Sequence, residues 1–261
     1  MVPPRRAWRV AGECAQEALE RDATLPEAHL ASAWVSLYLD WAWTEARVGL
    51  DRAAALGLPD LHQWRALVLM LQGELGPAAE ALARARETDP FSAVALALQA
   101  FLHDVAGSTS RACSSRGARS SCAPSTSWAH WRLGVALARL GRHDEAVAAL
   151  MRAVERAAGG TVMLCELGWV LAVAGRHDEA KALLARLESA AAKTYVSPYE
   201  RAKILVALGH RQDALDKLEQ AAEDRDPWVT LVGADHGLSA LRGEPRFAAL
   251  AQRVMAGAGA A

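Results

Sequence analysis

The six residues GRHDEA stand at positions 141–146 and again at 175–180, 34 residues apart. Other residues obey the same interval. Gly141 and Gly175 extend forward to Gly209 and back to Gly107 and Gly73. Ala146 and Ala180 extend to Ala214, Ala112 and Ala78, and Leu133-Gly134 recurs as Leu167-Gly168. A fixed interval of this size is the mark of a repeat array whose units stack on one another.

Each unit reads as two helices. In 127–160, "WAHWRLGVALARL" places Trp131, Val135, Leu137 and Leu140 at helical spacing. Gly141 ends that helix, because glycine enters the left-handed cap conformation without a side-chain clash. Asp144 and Glu145 open the next helix, at the positive end of its dipole. "EAVAALMRAVERA" then carries a second apolar stripe of Val147, Leu150, Met151 and Val154. Small residues, Gly134 and Ala146, stand where the two helices must approach closely. The hexapeptide is a turn, and its spacing is the length of one helical hairpin.

The composition agrees. Alanine and leucine dominate the 261 residues, and asparagine is absent. Such a composition favours helix. The formal net charge of −1 argues against a partner held by phosphate neutralisation. Cys14, Cys113, Cys122 and Cys165 form no C-x-x-C pair and no zinc-spaced cluster, so free thiols in a reducing compartment are expected. The start, "MVPPRRAWRV", lacks the apolar stretch of a secretory signal, and no apolar run is long enough to span a membrane. A cytoplasmic protein follows as the expectation.

Leu133-Gly134, Gly141, Ala146 and Ala153, with Pro90 and Pro227 closing their units, resemble the tetratricopeptide repeat (TPR) family. The resemblance implies an all-α fold, a right-handed α-solenoid of helix-turn-helix repeats. Repeat units are expected at 59–92, 93–126, 127–160, 161–194 and 195–228. Residues 26–58 read as an irregular repeat, because "DWAW" at 40–43 adds residues and "ALGLPD" at 55–60 removes some. Residues 1–25 read as a partial repeat contributing a second helix only. Residues 229–261 read as a cap and flexible tail, with Leu238, Leu241, Phe247, Leu250 and Val254 covering the last hairpin. "DWAWTEA" (40–46), "KTYVSPY" (193–199) and the tail resemble the C-terminal TPR region of bacterial multidomain signalling proteins: kinases, cyclases and winged-helix regulators. An array that starts mid-hairpin suggests a shortened chain or a displaced start codon.

One stretch breaks the pattern. Residues 108–127, "STSRACSSRGARSSCAPSTS", hold eight serines and no Leu, Ile, Val or Met. Such a segment cannot bury an apolar face. Yet the 34-residue count is kept on both sides, as a reading-frame shift that recovers near Trp128 would leave it. Translation of the interval in its other two frames tests this, and a basic Ser-rich loop or a weak helix are the alternatives.

No catalytic motif is present. His143 and His177 lie one repeat apart, too far to share a metal, and "ADHG" at 234–237 has no partnered nucleophile. No catalytic, cofactor or metal site is expected, and the nine tryptophans read first as packing residues. The resemblance implies a non-enzymatic scaffold binding a protein or peptide in a concave groove lined by the first helices. The lining positions are Gln63, Leu67 and Met70; Phe101 and Asp104; Trp131, Val135 and Arg139; Trp169; and Tyr199 and Lys203. This lining is apolar and aromatic, suited to a segment held by side-chain burial. The absence of asparagine argues against the Lys/Asn/Arg carboxylate clamp with which some TPR proteins hold chaperone C-termini. A regulatory arm separated from a signalling protein and a damaged gene remnant are the competing readings.

Overall fold

A computed structural model of the chain describes residues 3–59, 61–90, 92–106, 127–157 and 160–257. The helices are α1 (Pro4–Arg21), α2 (Pro26–Val35), α3 (Trp43–Ala55), α4 (His62–Leu71), α5 (Leu75–Thr88), α6 (Ala93–Val105), α7 (Ser127–Arg139), α8 (His143–Arg156), α9 (Thr161–Val173), α10 (His177–Ala191), α11 (Pro198–Ala207), α12 (Arg211–Glu223) and α13 (Pro245–Ala256). No strand occurs among the described residues. The architecture is an all-α solenoid of helical hairpins. The chain divides into two compact units, one holding residues 2–98, 222–234 and 248–261, the other 99–221 and 235–247. The serine-rich stretch, with Cys113 and Cys122, lies outside the described residues up to Thr126.

In the unit with the N-terminal helices, α1 packs on α2, α2 on α3, α3 on α4 and α4 on α5. Helix α2 runs into one π-helical turn, Ser36–Asp40, which ends at Trp41 with a left-handed φ of 55°. A π turn accommodates extra residues within a helix. This is where the repeat count departs from 34. An aromatic seam joins the helices: Trp8 stacks on Tyr38 at 5.0 Å, Tyr38 on Trp34 at 5.8 Å, and Trp34 meets Trp64 edge-on at 5.1 Å. Contacts of this kind add to the area each ring buries. The Trp43 indole N–H donates to the Val254 carbonyl at 3.2 Å, which fixes the last turn of α13 on α3.

In the other unit, α7 pairs with α8, α9 with α10, and the first helices α7, α9 and α11 also meet in succession. Gly141, Gly175 and Gly209 sit between the helices of their hairpins with φ of 73°, 78° and 85°, the left-handed cap expected of them. The rest of the hexapeptide has a role as well. Arg142 precedes α8 and donates from Nε and Nη2 to the two Glu145 oxygens at 2.7 and 2.6 Å. Arg176 and Glu179 repeat the pairing at the start of α10. In the third turn His210 faces Asp213 at 3.9 Å. Behind the turn, a Cβ on Gly134 would lie 2.5 Å from Leu150 Cγ, so α7 and α8 approach more closely than any side chain there allows. Met151, placed on the apolar stripe of α8 by its spacing, is instead 50% exposed, while Val147 and Leu150 are buried.

Helix α11 begins with Ser197, whose hydroxyl accepts the Glu200 N–H at 3.1 Å, and with Pro198 in its first turn. After α12 the chain makes two 3₁₀ turns, Pro227–Leu231 and His236–Leu241. The second packs against α11. Leu238, Leu241 and Phe247 are buried in this unit, and Leu250 and Val254 in the other.

Candidate functional site

A 34-residue period puts equal positions of successive first helices in register. Along α7, α9 and α11 this gives three rows: Trp131–Cys165–Tyr199, Val135–Trp169–Lys203 and Arg139–Val173–Ala207. The rows hold six of the residues the sequence assigns to the groove lining. Four of the six are buried: Trp131 is 5% exposed, Trp169 8%, Lys203 5% and Tyr199 not at all.

For Tyr199 and Lys203 the reason is a charged cluster. Lys203 Nζ donates to Glu166 Oε1 at 2.7 Å and to Glu200 Oε2 at 3.1 Å, lies 3.7 Å from Asp235 Oδ2, and stands 5.4 Å from the Trp169 ring centroid. The Tyr199 hydroxyl donates to Asp235 Oδ2 at 3.1 Å. Asp235 caps the second 3₁₀ turn, accepting the Gly237 N–H at 2.8 Å. The cap segment thus reaches over α11 and brings a carboxylate to its lysine. Next to this cluster Arg201 is tied down by the Ser197 and Val196 carbonyls and by the Glu188 carboxylate.

Burial sets the protonation. Burial disfavours the charge on Lys203, but Glu166, Glu200 and Asp235 together hold the ammonium charged well above its ordinary range. Burial pushes the Glu200 carboxyl up to about 8, against the pull of Lys203, with the neighbouring Glu166 and Asp235 charges adding to the rise. Asp235 is also buried, yet Lys203, the Gly237 N–H, Arg139 and the Tyr199 hydroxyl bring it below the ordinary carboxylate value. Burial and the neighbouring acidic groups thus favour the protonated form of Glu200, and the Lys203 and Arg139 cations offset the negative charge that remains. Near neutrality of charge is what permits such a cluster to be buried. Burial raises the Cys165 thiol far above its ordinary value. A lysine locked in its charged form and a neutral thiol are not poised as nucleophiles. Among the described residues no group of three or more His, Cys, Asp or Glu is arranged to hold a metal ion.

The other assigned positions are distributed as follows. Gln63 and Leu67 are half-buried on α4, where Gln63 Oε1 accepts the Ser92 hydroxyl at 3.1 Å, and Met70 is buried. Phe101 is half-buried on α6; the Asp104 side chain lies outside the described residues. Val135 and Arg139 are half-buried on α7. Met70, Trp131, Trp169, Tyr199 and Lys203 therefore do not line an open face. Packing between hairpins covers the first three, and Tyr199 and Lys203 are turned to the cap. Sequence reasoning passed over Glu166 and Glu200, and met Asp235 only as the acid of "ADHG". Glu166 and Glu200 do stand one period apart, a carboxylate recurring at the same place in successive first helices, the first of which is otherwise apolar.

Residues 115–161, which include the α7–α8 hairpin, match the family model for the tetratricopeptide repeat. Among solved structures, a tetratricopeptide repeat protein from Parabacteroides merdae superposes with a TM-score of 0.58 at 12% identity, over 95% of this chain and 92% of that one. The fold is that of a TPR protein. Among curated protein sequences none matches. In TPR terms, the buried cluster occupies the first-helix positions of the last two hairpins, and the segment after α12 covers them.

Proposed function

We propose that this TPR chain is a non-enzymatic scaffold that binds a protein or peptide segment on the first-helix face of α7 and α9. TPR folds bind proteins or peptides in general, and are typically non-catalytic. The observation that carries the reading is Val173, 43% exposed at the end of an otherwise covered α9, one period after the half-buried Arg139. Val135 lies one turn before Arg139 on the same face of α7. An apolar pair suits a segment with an aliphatic anchor. The free thiols Cys14 and Cys165 fit a reducing compartment, and we place the protein in the cytoplasm. Among the described residues no helix is long and apolar enough to cross a membrane.

The test is affinity capture with the intact chain beside a Val173→Asp variant, each checked for helical content. The partners of the wild type should be lost from the variant. Retention of all of them would remove the face. Trp131→Ala and Trp169→Ala are unsuited to this test, because both rings are part of the core. A second reading, a regulatory arm of a bacterial signalling protein, rests on "DWAWTEA" and the tail, which pack together through Trp43 and Val254. An adjoining reading frame encoding a kinase, cyclase or winged-helix domain would support it.

A further inference from the structure

The unit with the N-terminal helices contains a cavity of about 590 Å³ that the scaffold reading does not use. Four separated stretches of chain line it: Arg5 from α1, Trp41 after the π turn, Arg225 after α12, and Gln252 and Arg253 from α13. Among the described residues Glu223 is the one acid in the lining, and three alanines supply much of its apolar wall.

Three features set this place apart. The first is backbone strain. Trp41 and Arg225 are the two non-glycine residues with left-handed backbone among the described residues, each with φ of 55°, and they meet here. The Arg225 guanidinium lies over the Trp41 ring, with Cζ 3.6 Å from its centroid. Residues with side chains adopt this conformation at a cost, and such strain gathers at binding and switching sites. Gly257 helps to hold the arrangement, since a Cβ there would lie 2.7 Å from the Trp41 carbonyl oxygen.

The second is donors left unused. Trp41 is 3% exposed, and its indole Nε1 is buried with no hydrogen-bond partner among the described residues. Arg225 Nη1 is buried in the same condition. Buried donors without acceptors are uncommon, and two of them on the stacked Trp41–Arg225 pair mark this wall as costly to fold.

The third is uncompensated charge. Among the described residues Arg5, Arg225 and Arg253 form no ion pair. Burial, Arg5 and Arg253 all disfavour the charge on Arg225, against some support from Asp40. Three guanidiniums facing one cavity repel one another, and an anion between them would remove that repulsion.

We propose that this cavity binds a small organic oxyanion, its charged group seated among Arg5, Arg225 and Arg253 and its carbon skeleton against Trp41 and the alanine wall. A volume of this size holds a metabolite-sized molecule. Guanidiniums pair equally well with phosphate and carboxylate oxygens, so a phosphate ester and a polycarboxylic acid share the chemistry.

Isothermal titration calorimetry on the full chain in low-salt chloride buffer separates these sources, with pyrophosphate and a nucleoside monophosphate in one arm, citrate in the other, and ribose as the uncharged control. One arm should saturate with a Kd under about 1 mM and weaken as salt is added. Arg225→Gln and Arg253→Gln should each weaken it at least about tenfold. Arg84→Gln, in the same unit but outside the cavity, should leave it unchanged. Arg253 is exposed, so its replacement keeps the fold even if the Arg225 variant does not. Failure of both arms to saturate by about 10 mM would overturn the proposal. So would wild-type affinity in the Arg253 variant, or tighter binding of duplex RNA than of any small anion.

Discussion

At the scale of single residues, the repeated hexapeptide divides its work clearly. Gly141 supplies a left-handed backbone with nothing within 4 Å of where a Cβ would stand. Its replacement by alanine is therefore a matter of strain alone. Gly141→Ala should lower stability by about 1–2 kcal/mol, read as a shift in the urea midpoint without a change in slope. Arg142 and Glu145 pair in the open and contribute little to stability. Their role is to fix how α8 begins. Repetition of the glycine made this turn legible from the letters. The exposure of Met151 was not legible, because a helical stripe marks a direction and only the neighbours decide where burial ends.

At the scale of elements, each hairpin was readable because both its helices and its turn obey local rules of spacing and capping. The start of α11 shows how far local chemistry goes. Ser197 accepts the Glu200 N–H as the N-cap of a helix with proline in its first turn. Ser197→Ala should destabilise the chain by about 0.5–2 kcal/mol, measured by thermal melting. The Glu200 side chain does not remain local: it turns inward to Lys203. The π turn at Ser36–Asp40 is a similar case. "DWAW" announced an irregularity, but its form, a widened turn closing on a left-handed tryptophan, depends on Arg225 and Gly257, which lie far away in the chain.

At the scale of the whole molecule, stability should depend on pH through the buried cluster. Folded Glu200 keeps its proton up to about pH 8, whereas an unfolded glutamate loses it near 4.5. Between these values the folded state binds more protons, so stability falls as pH rises through that window. Below it, Asp235, whose folded value lies under 3.8, makes the opposite contribution, and stability is lost as its carboxylate takes up a proton. Thermal melts between pH 5 and 8 should show a falling midpoint in the wild type and a flatter one in Glu200→Gln. An equal slope in both would assign the dependence to other groups. By itself the sequence determined the helical hairpins, their 34-residue period, their glycine-capped turns and the buried apolar tail. Each of these follows from interactions within a few residues or from a strict repetition of them. Only the tertiary structure decided which first-helix residues are covered, that Lys203 is enclosed by three carboxyl groups, and that Arg225 lies over Trp41. Those outcomes depend on which distant segments meet, and no local periodicity encodes the partner of a buried charge.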